Sequence, residues 1–204
     1  MPWKQRVAAM AVFGKTIALD PGPGGRSIGG SALMAADIIV STTRAAISGA
    51  IRVATFSVVS HAALYAGDQK VIEAIGEGVV DHSLDDAMRE DVLAVAYRSP
   101  AITSSIAAAI VAFAREQARL RKPYSVAGVV MSTDPILCRI GGPRTAGFFC
   151  SQLVLEAYKR GGLPLTTKPP SCMSPDDVAE IAAHRLTYVG HLKGNLTRFP
   201  TFAP

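Results

Sequence analysis

Gly147-Phe148-Phe149-Cys150-Ser151-Gln152-Leu153-Val154-Leu155-Glu156-Ala157-Tyr158 is a bulky apolar run that meets a cysteine where an amphipathic helix begins. Apolar residues at 149, 153, 154 and 157 keep helical spacing, Lys159 and Arg160 occupy the last turn, and Gly161-Gly162 supplies the stop. Cys150 is thereby expected at a helix N-terminus. Unpaired backbone N–H groups there favour thiolate over thiol, and thiolate is the nucleophilic form. A cysteine beside two phenylalanines is otherwise an ordinary buried small hydrophobe. Position alone does not make a nucleophile, so partners must come from the rest of the chain.

Downstream, Ser174-Pro175-Asp176-Asp177 reads as an N-cap, a proline at the first helical position and two acidic first-turn residues, which is capping rather than chemistry. Leu186 to Leu192 reads as a last strand, and 193–204 as an irregular tail. Upstream, residues 125–147 are loop-rich, with Asp134-Pro135 and Gly141-Gly142-Pro143. Ala101 to Leu120 is a long Ala-rich helix with a basic end, stopped by Pro123-Tyr124, and Asp91 to Arg98 is a strand.

The partner sought for Cys150 lies further upstream. Val58 to Gly67 reads as a strand that ends in the turn pair Gly67-Asp68, and Val71 to Ile75 returns antiparallel to it. This hairpin carries His61 and Glu73. Pairing about the turn sets Glu73 nearer Leu64 than His61, so contact between the two needs a diagonal or a bulge. Ala36 to Ser41 reads as a buried strand and Thr43 to Thr55 as an amphipathic helix. Residues 20–31, DPGPGGRSIGGS, fit neither a dinucleotide nor a Walker phosphate loop and read as a flexible connector or active-site flap. His82, His184 and His191 show no evident partners and read as surface or structural residues.

The totals bound the remaining possibilities. A chain of 204 residues suits one well-cored domain, read as 1–204 with an N-terminal extension and Gly/Pro-rich loop (1–35), a core (36–192) and a tail (193–204). Hydrophobic residues at 49% and a mean hydropathy of +0.27 indicate a packed globular chain, yet no apolar stretch reaches the ~18 residues of a membrane span. The net charge of +5 suits an anionic partner such as a phospholipid or cell-wall polymer. No Lys/Arg run or aromatic-basic interleaving points to nucleic acid. The first 14 residues only faintly resemble a secretory signal and read as a docking helix, so export would take a non-classical route. Cys138, Cys150 and Cys172 lack the short paired spacings of zinc sites, and no metal or cofactor is expected. In an oxidising compartment Cys138 and Cys172 could pair and leave Cys150 free; in a reducing one all three stay thiols.

A cysteine at a helix start, a histidine on a strand and a polar residue that orients it are what thiol acyl transfer needs. The Cys150 N–H is a natural oxyanion donor, and Tyr124 and Ser151 are further candidates for oxyanion or substrate contacts. On these residues the chain resembles the circularly permuted papain-like enzymes of the NlpC/P60 superfamily, in particular the YiiX-like branch related to lecithin:retinol acyltransferases. Ser60-His61-Ala62-Ala63-Leu64-Tyr65 precedes Phe149-Cys150-Ser151-Gln152-Leu153-Val154, the reverse of the papain order. The match takes in Asp37-Ile38-Ile39, Ile51 to Thr55, Val71 to Ala74, Pro123-Tyr124 and Ser174 to Asp177. Three positions depart from the family's habit: Ala36 where glycine is common, Gln152 where Glu is frequent, and Ser125 where Asp often follows the tyrosine. The resemblance implies an α+β fold, with a central antiparallel sheet packed against the Cys-bearing helix and further helices. It also implies Cys150 as nucleophile, His61 as base and Glu73 as the third polar residue.

The function expected first is a bacterial cysteine amidase or peptidase acting on cell-wall peptides, in the role of a secreted antibacterial effector with a cognate inhibitor protein. A lipid acyl hydrolase or acyltransferase is the second expectation, and a non-catalytic lipid- or peptide-binding module the third.

Overall fold

A computed structural model of the chain describes residues 19, 25–43, 59, 61–125 and 147–194. Six strands form one antiparallel sheet: β1 (Ile38–Thr43), β2 (His61–Gly67), β3 (Lys70–Ile75), β4 (Gly78–Ser83), β5 (Asp91–Arg98) and β6 (Thr187–Lys193), in the spatial order β4-β3-β2-β1-β5-β6. Among the described residues four helices accompany it: the single turn α1 (Leu84–Ala87), then α2 (Ser104–Arg119), α3 (Cys150–Arg160) and α4 (Pro175–Arg185). Short 3-10 turns occupy Gly30–Ala32 and Pro170–Cys172. The fold is α+β, as the resemblance implied. The expected helix from Thr43 to Thr55 and the expected helix over the first 14 residues lie outside the described residues, apart from Thr43, which ends β1.

The sheet is buried on both faces. Ile38 and Val40 of β1, Ala62 and Leu64 of β2, Ile72 of β3 and Leu93 and Val95 of β5 share one core with Ile110, Leu153, Val154 and Val178 of the helices. The alternate residues Ile39, Ala63, Tyr65, Val71, Ala94 and Ala96 pack into a second cluster with Leu33, Leu84 and Val189. Alternation of side chains across the pleat makes this division. Fully burying a side chain such as Leu153 or Val154 contributes roughly 1.5–3 kcal/mol, so the inner face of α3 is strongly held against the sheet.

Local signals end the elements where the sequence places them. Thr103 accepts a hydrogen bond from the Ile106 N–H at the start of α2, and Ser174 with Asp177 forms a full capping box at α4. Between β2 and β3, Asp68 (φ 51°) and Gln69 (φ 56°) both take the left-handed conformation of a type I′ turn. Asp37, buried at the head of β1, is held by two 2.7 Å hydrogen bonds from Arg98.

One expectation is corrected. Residues 25–28, read as part of a flexible connector or flap, line the outer edge of β6: Ser27 bridges His191, the Ile28 N–H donates to the His191 carbonyl at 2.8 Å, and the Arg26 guanidinium donates to the Val189 carbonyl at 2.7 Å. This covers an edge strand whose backbone groups would otherwise stand unpaired. Residues 20–24 lie outside the described residues.

Candidate active site

The site forms where the head of α3 meets the end of β2. Residues 123–125 and 147–149 run side by side, with the Phe148 N–H donating to the Pro123 carbonyl and the Ser125 N–H to the Phe148 carbonyl, each at 3.0 Å. Gly147 is required for this approach, because a Cβ there would collide with the Pro123 carbonyl. The pairing delivers Cys150 as the first residue of α3, with Phe149 as N-cap and no side chain capping the open N–H groups.

Cys150 is a free thiol with 3% of its surface exposed. Burial pushes its pKa up. The His61 imidazole, by charge and by hydrogen bond, and then the backbone N–H groups of Ala62 and Ser151, outweigh burial and bring the thiol below its usual value. For His61, burial pushes the pKa down, but the Cys150 charge and hydrogen bond, followed by those of Glu73, hold it well above the ordinary imidazole value. The two opposite directions favour proton transfer from the thiol to the imidazole.

Glu73 reaches His61 by both devices the sequence required. The β2–β3 register shifts between Tyr65 and Gly67, and beyond that bulge Leu64 faces Ile72, so Glu73 falls opposite Ala63 with His61 on the diagonal of the same face. The contact is 2.5 Å from His61 Nε2 to Glu73 Oε2. Since an ionised carboxylate only accepts, His61 carries its proton on Nε2, which leaves Nδ1 for the thiol.

His82 is a residue that sequence reasoning missed. It was read as having no partner, yet its Nε2 lies 2.7 Å from Glu73 Oε1. Val71 faces His82 and Glu73 faces Val80 in the β3–β4 pair, so His82 approaches from the opposite diagonal. Burial alone would push the Glu73 carboxyl up; hydrogen bonds and charge from His61 and His82 bring it down to about 2. The signal available in the sequence was the Gly76-Glu77-Gly78 turn followed by Val79-Val80-Asp81-His82, a short strand returning beside Glu73.

The other candidates separate. Tyr124, half-buried, is close enough to feel the Cys150 charge; burial and that charge raise its hydroxyl to about 12, so it stays a donor through the neutral range. The Ser151 hydroxyl is fully buried and donates to the Met173 carbonyl at 2.7 Å, so only its backbone N–H faces the sulfur. The Ser151 hydroxyl is thus committed to the Met173 carbonyl, and what Ser151 offers at the site is its backbone N–H. Asp91, also unforeseen, is a buried carboxyl bound by the Ser41 hydroxyl at 3.0 Å, on a strand beside the one that faces His61, and burial lifts it to about 6. His191 is buried and bonded through Nδ1 to the Tyr188 hydroxyl at 2.5 Å, on β6 and away from Cys150. Cys172 is disulfide-bonded; Cys138, its candidate partner, lies outside the described residues.

A buried cysteine heading a helix, met by a strand histidine and a carboxylate that precede it in the chain, defines the permuted papain-like class. Comparison with known proteins gives the particular family. Residues 33–180 match the family model described as permuted papain-like amidase enzyme, YaeF/YiiX, C92 family, and the chain belongs to that family. It is 30% identical over 191 residues to the probable lipoprotein peptidase YaeF of Escherichia coli K12, a match that takes in 77% of this chain and 70% of that protein. It also superposes on the crystal structure of the metalloprotein yiiX from Escherichia coli O157:H7, with a TM-score of 0.54 and 20% identity over 76% of this chain and 95% of the other. Membership makes the protein an enzyme of the amidase and peptidase class, with bacterial relatives. No helix among the described residues is long and apolar enough to cross a membrane.

Proposed function

We propose that the protein cleaves amide bonds through an acyl-enzyme on Cys150. The observation that carries this reading is the buried Cys150–His61 pair at an uncapped helix N-terminus, backed by Glu73 at 2.5 Å. The His61 Nδ1 takes the thiol proton, the thiolate attacks the carbonyl carbon, and the imidazolium returns the proton to the departing amine. Water, activated by the neutral imidazole, then attacks the thioester and restores the thiol. The Cys150 N–H and the Tyr124 hydroxyl are the proposed donors to the tetrahedral oxyanion, and Glu73 holds the imidazole in the tautomer that each step needs.

The proposed substrate class is bacterial cell-wall peptide, supported by amidase family membership and by the net charge of +5, which suits an anionic polymer. The yiiX protein is described as a metalloprotein. Among the described residues of this chain, no group of three or more His, Cys, Asp or Glu side chains is arranged to hold a metal ion, and the proposed chemistry calls on none.

Digestion of purified peptidoglycan with wild type and with Cys150→Ala tests the reading. New amine ends from wild type alone support it. No new ends from a wild type whose Cys150 is reactive overturn the cell-wall substrate, and fatty-acid release from phospholipid vesicles in the same preparation would move the assignment to ester chemistry.

A further inference from the structure

We propose that His82 is a positioning residue of the site, which fixes Glu73 by filling the carboxylate oxygen that His61 leaves open. This rests on the Cys150–His61–Glu73 reading above. Glu73 is 5% exposed, and a buried ionised carboxylate has two oxygens to satisfy. His61 occupies Oε2 and His82 occupies Oε1. No other hydrogen bond to the Glu73 side chain is found among the described residues. With one oxygen empty, the carboxylate would be free to rotate about its last torsion and to present either oxygen, or both unevenly, to His61.

The three side chains form a diagonal row across β2, β3 and β4, with the carboxylate on the middle strand. β4 is the sheet's edge, and His82 is its outermost contribution to the site. Because Glu73 accepts from both rings, both histidines carry Nε2–H, and His82 supplies this donor whether or not its ring is charged. The charged groups that face it are Glu73 from β3, Asp81 on its own strand and Asp86 on α1. Asp81 is paired with Arg115 and Asp86 with Arg89. The His82 side chain is 26% exposed, against 17% for His61, so it spans the distance between the buried carboxylate and solvent.

The test reads the thiol directly and needs no substrate. The full chain and its variants His82→Ala, His82→Leu and His82→Gln are alkylated with iodoacetamide across pH, alongside His61→Ala, and thermal melts identify the folded variants. Ala and Leu remove the donor with and without loss of bulk, while Gln keeps an N–H within reach of Oε1. In folded His82→Ala or His82→Leu, Glu73 holds the imidazolium less firmly. The midpoint of the alkylation profile then moves up by about one pH unit, and labelling below that midpoint slows by roughly tenfold. His82→Gln restores most of the wild-type profile. A wild-type midpoint in the folded donor-less variants overturns the proposal, because a purely structural histidine leaves the profile unmoved. So does a Gln variant as impaired as Leu. Alike profiles for wild type and His61→Ala would instead overturn the dyad beneath it, and the proposal with it.

Discussion

Replacing Glu73 by Gln keeps the shape of the side chain and removes its charge. Two imidazole N–H groups then face an amide, whose oxygen can accept from one of them while its NH2 opposes the other. In the folded protein the carboxyl is brought from 4.5 to about 2, a difference worth about 3 kcal/mol. A depressed carboxyl contributes stability that is fully present above its unfolded pKa and is lost as the pH falls through the folded one. The penalty of Glu73→Gln should therefore be largest near neutrality, at about 2–3 kcal/mol, and shrink steadily below about pH 4.5. Urea denaturation of both proteins at a series of pH values, analysed by linear extrapolation, measures it. A wild-type-minus-variant difference that stays flat from neutral pH to about pH 3 would refute the charge-based account of Glu73. The same substitution should lower kcat/KM by on the order of 100-fold, the scale of an acid–base partner that loses its orientation.

Two further outcomes follow from the geometry. Tyr124→Phe removes the hydroxyl proposed for the oxyanion and should lower kcat by on the order of 100-fold with KM little changed, measured under saturating substrate; an unchanged kcat takes Tyr124 out of the site. Gln69→Gly relieves an exposed residue with φ 56° in the β2–β3 turn and should raise stability by about 0.5–1 kcal/mol in thermal melts, whereas a loss would contradict the left-handed turn.

Residues with strong local signals were legible. The α3 helix, the Asp91–Arg98 strand and the Ser174 cap each carry their own periodicity or cap chemistry, and each forms within a few residues of where the sequence puts it. His61 and Glu73 were legible as a hairpin pair because the Gly67-Asp68 turn limits the register to a few choices. His82 was not, since β4 is short, opens with glycine and ends in three polar residues, so its strand character comes from pairing with β3 rather than from pattern. The Arg26–Ile28 edge was lost for a related reason: its partners lie some 160 positions away, and Gly/Pro content says nothing about which strand edge needs cover. Ala36 shows the reverse case. The resemblance to the permuted papain-like family marked it as standing where that family commonly has glycine, and its φ of 71° is the left-handed conformation that glycine takes most easily.

In the proposed mechanism Cys150 is ionised because His61 carries its proton. The pH dependence of Cys150 alkylation by iodoacetamide, compared between wild type and His61→Ala, reads that claim without assuming a substrate. Wild type should be labelled well below the ordinary thiol pKa, and His61→Ala at a comparable rate only when the pH approaches or passes about 9, where a thiol without its imidazolium ionises unaided. Profiles that coincide in the two proteins would contradict it.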